Sequence, residues 1–256
     1  MNIYLISIRR LRERYLHINN EIKKSKKKYK VIGVDGTEIN RESYCKEFND
    51  GQVGCALSHV EAYKEIFTSG NKSACIIEDD VILPNNIDAI LNEIGSIIGE
   101  DEIIFLYNRN ISTAKYSLYD QMELKNGKLV YPLSMKDVRT AAVYVIGREA
   151  AKKLYVINKN IEFIADDWHG LYSKGGFNSP RILYNKSFRI KGFQSSIGYS
   201  QDDSLTIKIA KYLLKGKAYK YIRYIRLRYI LLKHESNYKY VNEYSQLARC
   251  RSNNNE

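Results

Sequence analysis

Short unbroken apolar runs and longer stretches with helical spacing take turns along the first half of the chain. Residues 3–8 form a compact apolar run with β-branched side chains and no helical stripe, the pattern of a buried strand. Residues 9–28 follow a lysine- and arginine-rich helical pattern, and residues 30–34 give a second short strand closed by the turn pair Asp35-Gly36. Over residues 54–68, Leu57, Val60, Tyr63, Ile66 and Phe67 recur at helical spacing, and the pattern stops near Gly70. Residues 73–77 read as a third strand, 85–98 as a helix and 102–107 as a strand. The alternation then loosens: 108–119 reads as a loop and 122–131 as a hairpin turning at Asn126-Gly127. A strand over 141–146, a helix over 148–156 and a short helix over 166–172 follow, then strands near 181–184 and 188–190. Strands alternating with helices predict a mostly parallel, three-layer α/β domain.

Composition changes this picture in one respect. The 256 residues, 44% of them hydrophobic, can build a core, but the net charge is +12. Residues 204–256 hold twelve basic and three acidic side chains, so +9 of that charge belongs to them and +3 to residues 1–203. The expected organisation is therefore a catalytic-sized body over 1–203 and a basic, tyrosine-rich helical appendage over 204–256. No stretch reaches the roughly 18 apolar residues of a spanning helix. The 3–8 run is also shorter than a signal-peptide core and has no basic residues before it, so export is not expected. Cys45, Cys55, Cys75 and Cys250 form no CxxC pair; Cys55 and Cys75 read as small buried thiols, consistent with a reducing, cytoplasmic setting.

Candidate chemistry concentrates where the third strand ends. Glu78, Asp79 and Asp80 follow Ile76-Ile77 directly, and ligands of open α/β sheets bind at the carboxyl ends of strands. Strand alternation would put Glu78 and Asp80 on one side and Asp79 on the other. Adjacent carboxylates repel unless a cation lies between them, and oxygen ligands of this kind suit Mg²⁺ or Mn²⁺ completed by substrate phosphates. The plainer alternative is an acidic turn preceding the next helix.

Five segments, in order over roughly residues 1–200, resemble glycosyltransferase family 25, which includes lipooligosaccharide galactosyltransferases. They are Ile6-Ser7-Ile8 with Arg9, Arg10 and Arg14; Val34-Asp35-Gly36; Gly54-Cys55-Ala56-Leu57-Ser58-His59 with Ala62-Tyr63; Ile77-Glu78-Asp79-Asp80-Val81; and Ala142 to Ile146 with Ala150 to Leu154, then Asp166-Asp167. Ser7 stands where an asparagine is common, and Gln52 where an acid often precedes the Gly-Cys-Ala-Leu-Ser-His run. The resemblance implies a GT-A-like fold, a UDP-sugar donor (typically UDP-galactose) and inverting transfer to a lipid-linked oligosaccharide, the lipooligosaccharide or lipopolysaccharide core.

Inverting transfer needs neutralised leaving phosphates, a deprotonated acceptor hydroxyl and aligned sugars. By resemblance and by this chemistry, Asp80 and Glu78 are the candidate ligands of a divalent metal (Mn²⁺ or Mg²⁺), and Asp79 is placed near the donor ribose or sugar. Asp166 and Asp167 are candidates for the base, one of them alternatively a helix cap, and Trp168 for an apolar platform under the acceptor sugar. His59, Ser58, Asp35 and Arg139 are candidates for donor binding. Ser58 could instead serve a helix contact and Asp35 a turn.

In the appendage, Ile207, Ala210, Leu214, Ala218, Tyr221, Ile225 and Tyr229 recur at helical spacing among lysines and arginines. A cationic amphipathic helix fits an anionic membrane surface, and a lipid-linked acceptor would make docking on the inner face of the inner membrane useful. The alternatives are a non-enzymatic sugar-nucleotide-binding module and a nucleic-acid-binding protein acting through the tail. No nucleic-acid motif supports the last.

Overall fold

A computed structural model describes residues 1–40, 44, 47–109, 116–117 and 121–193. The chain divides into two units, and all these residues except Ser117 fall in the first, Met1–Tyr116 with Asp120–Gly198. The appendage over 204–256 lies outside the described residues.

The predicted strands become β1 (Asn2–Ile6), β2 (Tyr29–Ile32), β3 (Ser73–Glu78), β5 (Glu102–Phe105), β6 (Met122–Leu124), β7 (Gly127–Val130), β8 (Val143–Gly147), β9 (Ser179–Tyr184) and β10 (Arg189–Ile190). A two-residue strand that the pattern did not predict, β4 (Val81–Ile82), pairs antiparallel with β10. The helices are α1 (Arg12–Glu21), α2 (Asp50–Thr68), α3 (Ile87–Ile97), α4 (Arg148–Asn158) and α5 (Trp168–Ser173). Helix α2 starts four residues before its apolar pattern does. A capping box sets this start: the Asn49 side chain accepts from the Gln52 N–H, and Gln52 accepts from the Asn49 N–H. The departure at Gln52 is thus a helix-start device.

The large sheet has the order β2-β1-β3-β8-β5-β9-β7-β6. Strands β1, β2 and β3 run parallel, as do β5 and β9, while β8 is inserted antiparallel between β3 and β5. Helices flank it on both faces, giving the expected three-layer, mostly parallel α/β fold. On one face α2, α4 and α5 bury Val60, Tyr63, Ile66, Leu154 and Trp168; on the other, α1 and α3 bury Ile18, Leu91 and Ile94. The inner strands are apolar on both sides because both faces are covered. Because β8 runs against its neighbours, its first residues meet the carboxyl ends of β3 and β5, and the Glu78 N–H donates to the Ala142 carbonyl at 2.7 Å. Among the described residues, no helix is long and apolar enough to cross a membrane.

Candidate functional site

Three sequence segments meet at the carboxyl edge because their backbones touch. A Cβ on Gly54 would lie 2.6 Å from the Gly36 nitrogen and 2.7 Å from the Val34 carbonyl oxygen, so α2 docks directly on the turn after β2. Ser58, one turn along, accepts the Val34 N–H at 2.9 Å and donates to the Gly54 carbonyl at 2.7 Å. Its hydroxyl is buried and spent on this junction. Ser58 thus holds the wall of the site and also lines the cleft described below.

The acidic run breaks the strand alternation assumed for it. β3 ends at Glu78, and residues 79–80 form a turn. Glu78 faces α2, whereas Asp79 and Asp80 both approach Arg14, at 2.6 Å and 3.5 Å. Asp79 also accepts from the Ser7 hydroxyl at 3.0 Å, which gives the serine at that departure a defined role. Burial pushes the Asp79 carboxyl up against the opposing pull of Arg14. Asp80 rises further, to about 7, through burial and the field of Glu78, with Arg14 opposing. Its Oδ1 is buried without a hydrogen-bond partner. The Lys191 N–H donates to the Asp80 carbonyl at 2.7 Å, so the β4–β10 pair fastens this turn from the other side.

On the α2 side, His59 is buried between two partners. One ring nitrogen is 2.7 Å from the Tyr144 hydroxyl and the other 3.3 Å from Glu78 Oε1. The Tyr144 hydroxyl is 2.9 Å from that of Tyr63, and both rings are buried. Cys55, one turn before His59, joins the cluster. Burial, then the charges of Glu78 and Asp166, push its thiol well above the ordinary 9.0.

A cleft of about 400 Å³ opens beside these groups, lined by Ser7, Arg10, Asp35, Cys55, Glu78 and Asp79 among others. This is a normal size for a small-molecule site. Asp35 is held by a two-pronged Arg10 ion pair and by Thr37, which lowers its pKa below the usual carboxylate range. Arg139 is exposed on the loop leading into β8, and its N–H donates to the buried Asn108 side chain. The next residue, Thr140, has φ 80°, a strained value of the kind found near functional sites.

On the other bank, Trp168 and Asp167 already have structural partners. Trp168 is fully buried and packs edge-on against Phe105 and Tyr144, while its indole N–H donates to the Thr140 carbonyl at 3.1 Å. No face of it is free for a sugar; it anchors the strained loop from beneath. Asp167 caps α5 by accepting the Gly170 N–H at 2.9 Å. Asp166 is half-buried, and its charge is one of those that push the Cys55 thiol up.

The oxygen donors fit a hard divalent cation. Asp80 offers an orphaned buried oxygen within the field of Glu78, although the Glu78 carboxylate itself turns toward His59 on α2. Asp79 is already committed to Arg14 and Ser7. Arg14, Ser7 and Cys55 were the residues whose function the sequence pattern did not reveal. The i, i+4 spacing of Cys55 and His59 on one helix face was the signal available for Cys55.

Fold and site together define a three-layer α/β protein with an acid- and arginine-lined ligand cleft at the carboxyl edge of its sheet. The family model described as "Glycosyltransferase family 25 (LPS biosynthesis protein)" matches residues 1–169, and the chain belongs to that family. A Haemophilus influenzae relative named "Putative glycosyltransferase" is 27% identical over 169 residues. The match covers 61% of this chain and 57% of the relative, so the chain spans less than two thirds of the relative's length. A solved structure titled "Crystal Structure of A197 from STIV" is 16% identical, covering 76% of this chain and 86% of that one. Its TM-score of 0.34 is too low to bear on function.

Proposed function

We propose that this protein is an inverting glycosyltransferase that moves a sugar, galactose from UDP-galactose, onto a lipid-linked oligosaccharide of the lipopolysaccharide core. The observation that carries the reading is the cleft at the carboxyl edge, where Arg10 and Arg14 stand beside Asp35, Glu78, Asp79 and Asp80. Such a cleft can hold a nucleoside diphosphate through its arginines while carboxylates handle cations and sugar hydroxyls. Asp80 and Glu78 would hold Mn²⁺ or Mg²⁺, which supplies neutralisation of the departing diphosphate. Asp79, fixed by Arg14 and Ser7, presents a rigid wall toward the donor. Asp166, half-buried across from Cys55, accepts the proton of the acceptor hydroxyl, the role for which a positioned carboxylate is suited. Because one-step displacement inverts the anomeric centre, base and leaving diphosphate must lie on opposite sides of the sugar. Residues 204–256 would bring the protein to the anionic membrane surface that carries the acceptor.

The test is a screen of UDP-sugars against purified full-length protein with Mn²⁺ and lipooligosaccharide acceptors. Transfer of galactose, abolished by Asp80→Asn and reduced by at least about a hundredfold in Asp166→Asn, is expected. Undiminished transfer in Asp80→Asn, or no transfer from any UDP-sugar, overturns the reading.

A further inference from the structure

The Cys55–His59–Glu78 corner brings a thiol, an imidazole and a carboxylate together. Cys55 and His59 project from one face of α2, and Glu78 ends the strand that this face meets. One ligand atom from each, the thiol sulfur, a ring nitrogen and a carboxylate oxygen, lie within 4.8 Å of one another. A tetrahedral ion bound at about 2.3 Å to sulfur and about 2.0–2.2 Å to nitrogen and oxygen keeps its ligand atoms roughly 3.3–3.8 Å apart. The His59–Glu78 edge, at 3.3 Å, already has this length.

The histidine is also held as a metal ligand is held. Ligating histidines generally give their second ring nitrogen to a fixed partner, which sets tautomer and ring angle. Here Nδ1 meets the Tyr144 hydroxyl at 2.7 Å, and Tyr144 is steadied by Tyr63 at 2.9 Å and stacked on the imidazole at 5.9 Å. When Nδ1–H donates to Tyr144, the lone pair of Nε2 faces the Glu78 carboxylate at 3.3 Å, a space that a proton or a metal cation can fill. The sulfur at the third corner selects which cation: thiolates favour Zn²⁺ and its like, and hard Mg²⁺ or Mn²⁺ avoid them.

We propose that Cys55 Sγ, His59 Nε2 and the Glu78 carboxylate form a three-ligand site for one thiophilic divalent cation, Zn²⁺, with its fourth position open to the cleft. Cys55 and Glu78 both line that cleft, so an exogenous ligand can complete the coordination. Binding releases the thiol proton to solvent as sulfur becomes a thiolate. The site stands on its own residues and does not depend on the glycosyl-transfer reading. It does share Glu78 with the acidic turn, so Zn²⁺ bound here draws Glu78 away from Asp80 and competes with Mn²⁺.

Chelator-stripped full-length protein titrated with Co²⁺, without sugar or nucleotide, tests this directly. A thiolate-to-cobalt charge-transfer band that saturates at one ion per chain and is displaced by Zn²⁺ is expected. The band should vanish in Cys55→Ser, which leaves Cys45, Cys75 and Cys250 in place. Tyr144→Phe should keep the band but weaken Co²⁺ binding by about tenfold to a hundredfold. Asp80→Asn should leave Co²⁺ binding intact. No band in the wild type, or a band that survives Cys55→Ser, overturns the proposal. Should Cys55→Ser fail to fold, Co²⁺ affinity unchanged in both Glu78→Gln and Tyr144→Phe overturns it equally.

Discussion

Asp80 shows what a single carboxylate costs when a turn buries it next to Glu78. Its pKa of about 7 against an ordinary 3.8 means that the folded chain holds a proton there which the unfolded chain has already lost. The stability from this group is therefore fully present below about pH 4 and disappears as pH rises through about 7. Asp80→Asn removes the titration. The variant should match the wild type in Tm below about pH 4 and exceed it by a margin that grows as pH rises toward 7 in metal-free buffer, measured by thermal denaturation across that range. A Tm difference that does not widen with pH would remove the assignment. The same site shows how far residue types alone can be read. Glu78 and Asp80 stood out as candidate cation ligands because adjacent carboxylates at a strand end repel one another unless a cation lies between them. Their facing was not, because alternation holds only while the strand lasts and β3 stops at Glu78. Trp168 read as an apolar platform, but its ring is buried against Phe105 and Tyr144, and the Ser58 hydroxyl is shared between Val34 and Gly54.

Among elements, the junction between the β2 turn and α2 explains why Val34-Asp35-Gly36 and Gly54 to His59 travel together. The two glycines let two backbones pass at contact distance, which fixes where α2 aims Cys55 and His59. Gly54→Ala forces a methyl group against the Gly36 nitrogen and the Val34 oxygen, neither of which can swing aside. A loss of about 1–3 kcal/mol is expected, read as a lowered midpoint in urea with little change in slope. At the far end of the sheet, Arg181 of β9 and Glu102 of β5 form a buried ion pair, each about 7% exposed. Glu102 also accepts the Gly99 N–H and Arg181 donates to the Ile97 carbonyl, so the pair seals the end of α3. Arg181→Met should cost about 3–5 kcal/mol, because it strands a buried carboxylate, and the double variant with Glu102→Leu should recover much of that in the same denaturation assay. The periodicity located the main elements because each buries one continuous apolar face. It missed β4 because two residues are too few to show a period, and their partner β10 lies more than a hundred residues later.

For the molecule as a whole, the distribution of charge bears on location. Residues 1–203 carry +3 and residues 204–256 carry +9, with eight of the 22 tyrosines in the latter. Near anionic headgroups each basic residue contributes about 1 kcal/mol, and twelve of them outweigh three acids decisively at low salt. Vesicles rich in phosphatidylglycerol should therefore pellet the full chain while phosphatidylcholine vesicles do not. Binding should fade as added salt shortens the screening length from about 10 Å at 0.1 M toward about 3 Å at 1 M. A chain ending at Asp203 should bind neither vesicle yet still show a thermal shift with UDP-sugar and Mn²⁺, because every cleft residue named above precedes that point. Equal pelleting by both lipids, or by both chains, would mean that the tail's charge serves another partner. RNA retention that is lost on the same truncation, with vesicle binding absent, would identify that partner as a nucleic acid.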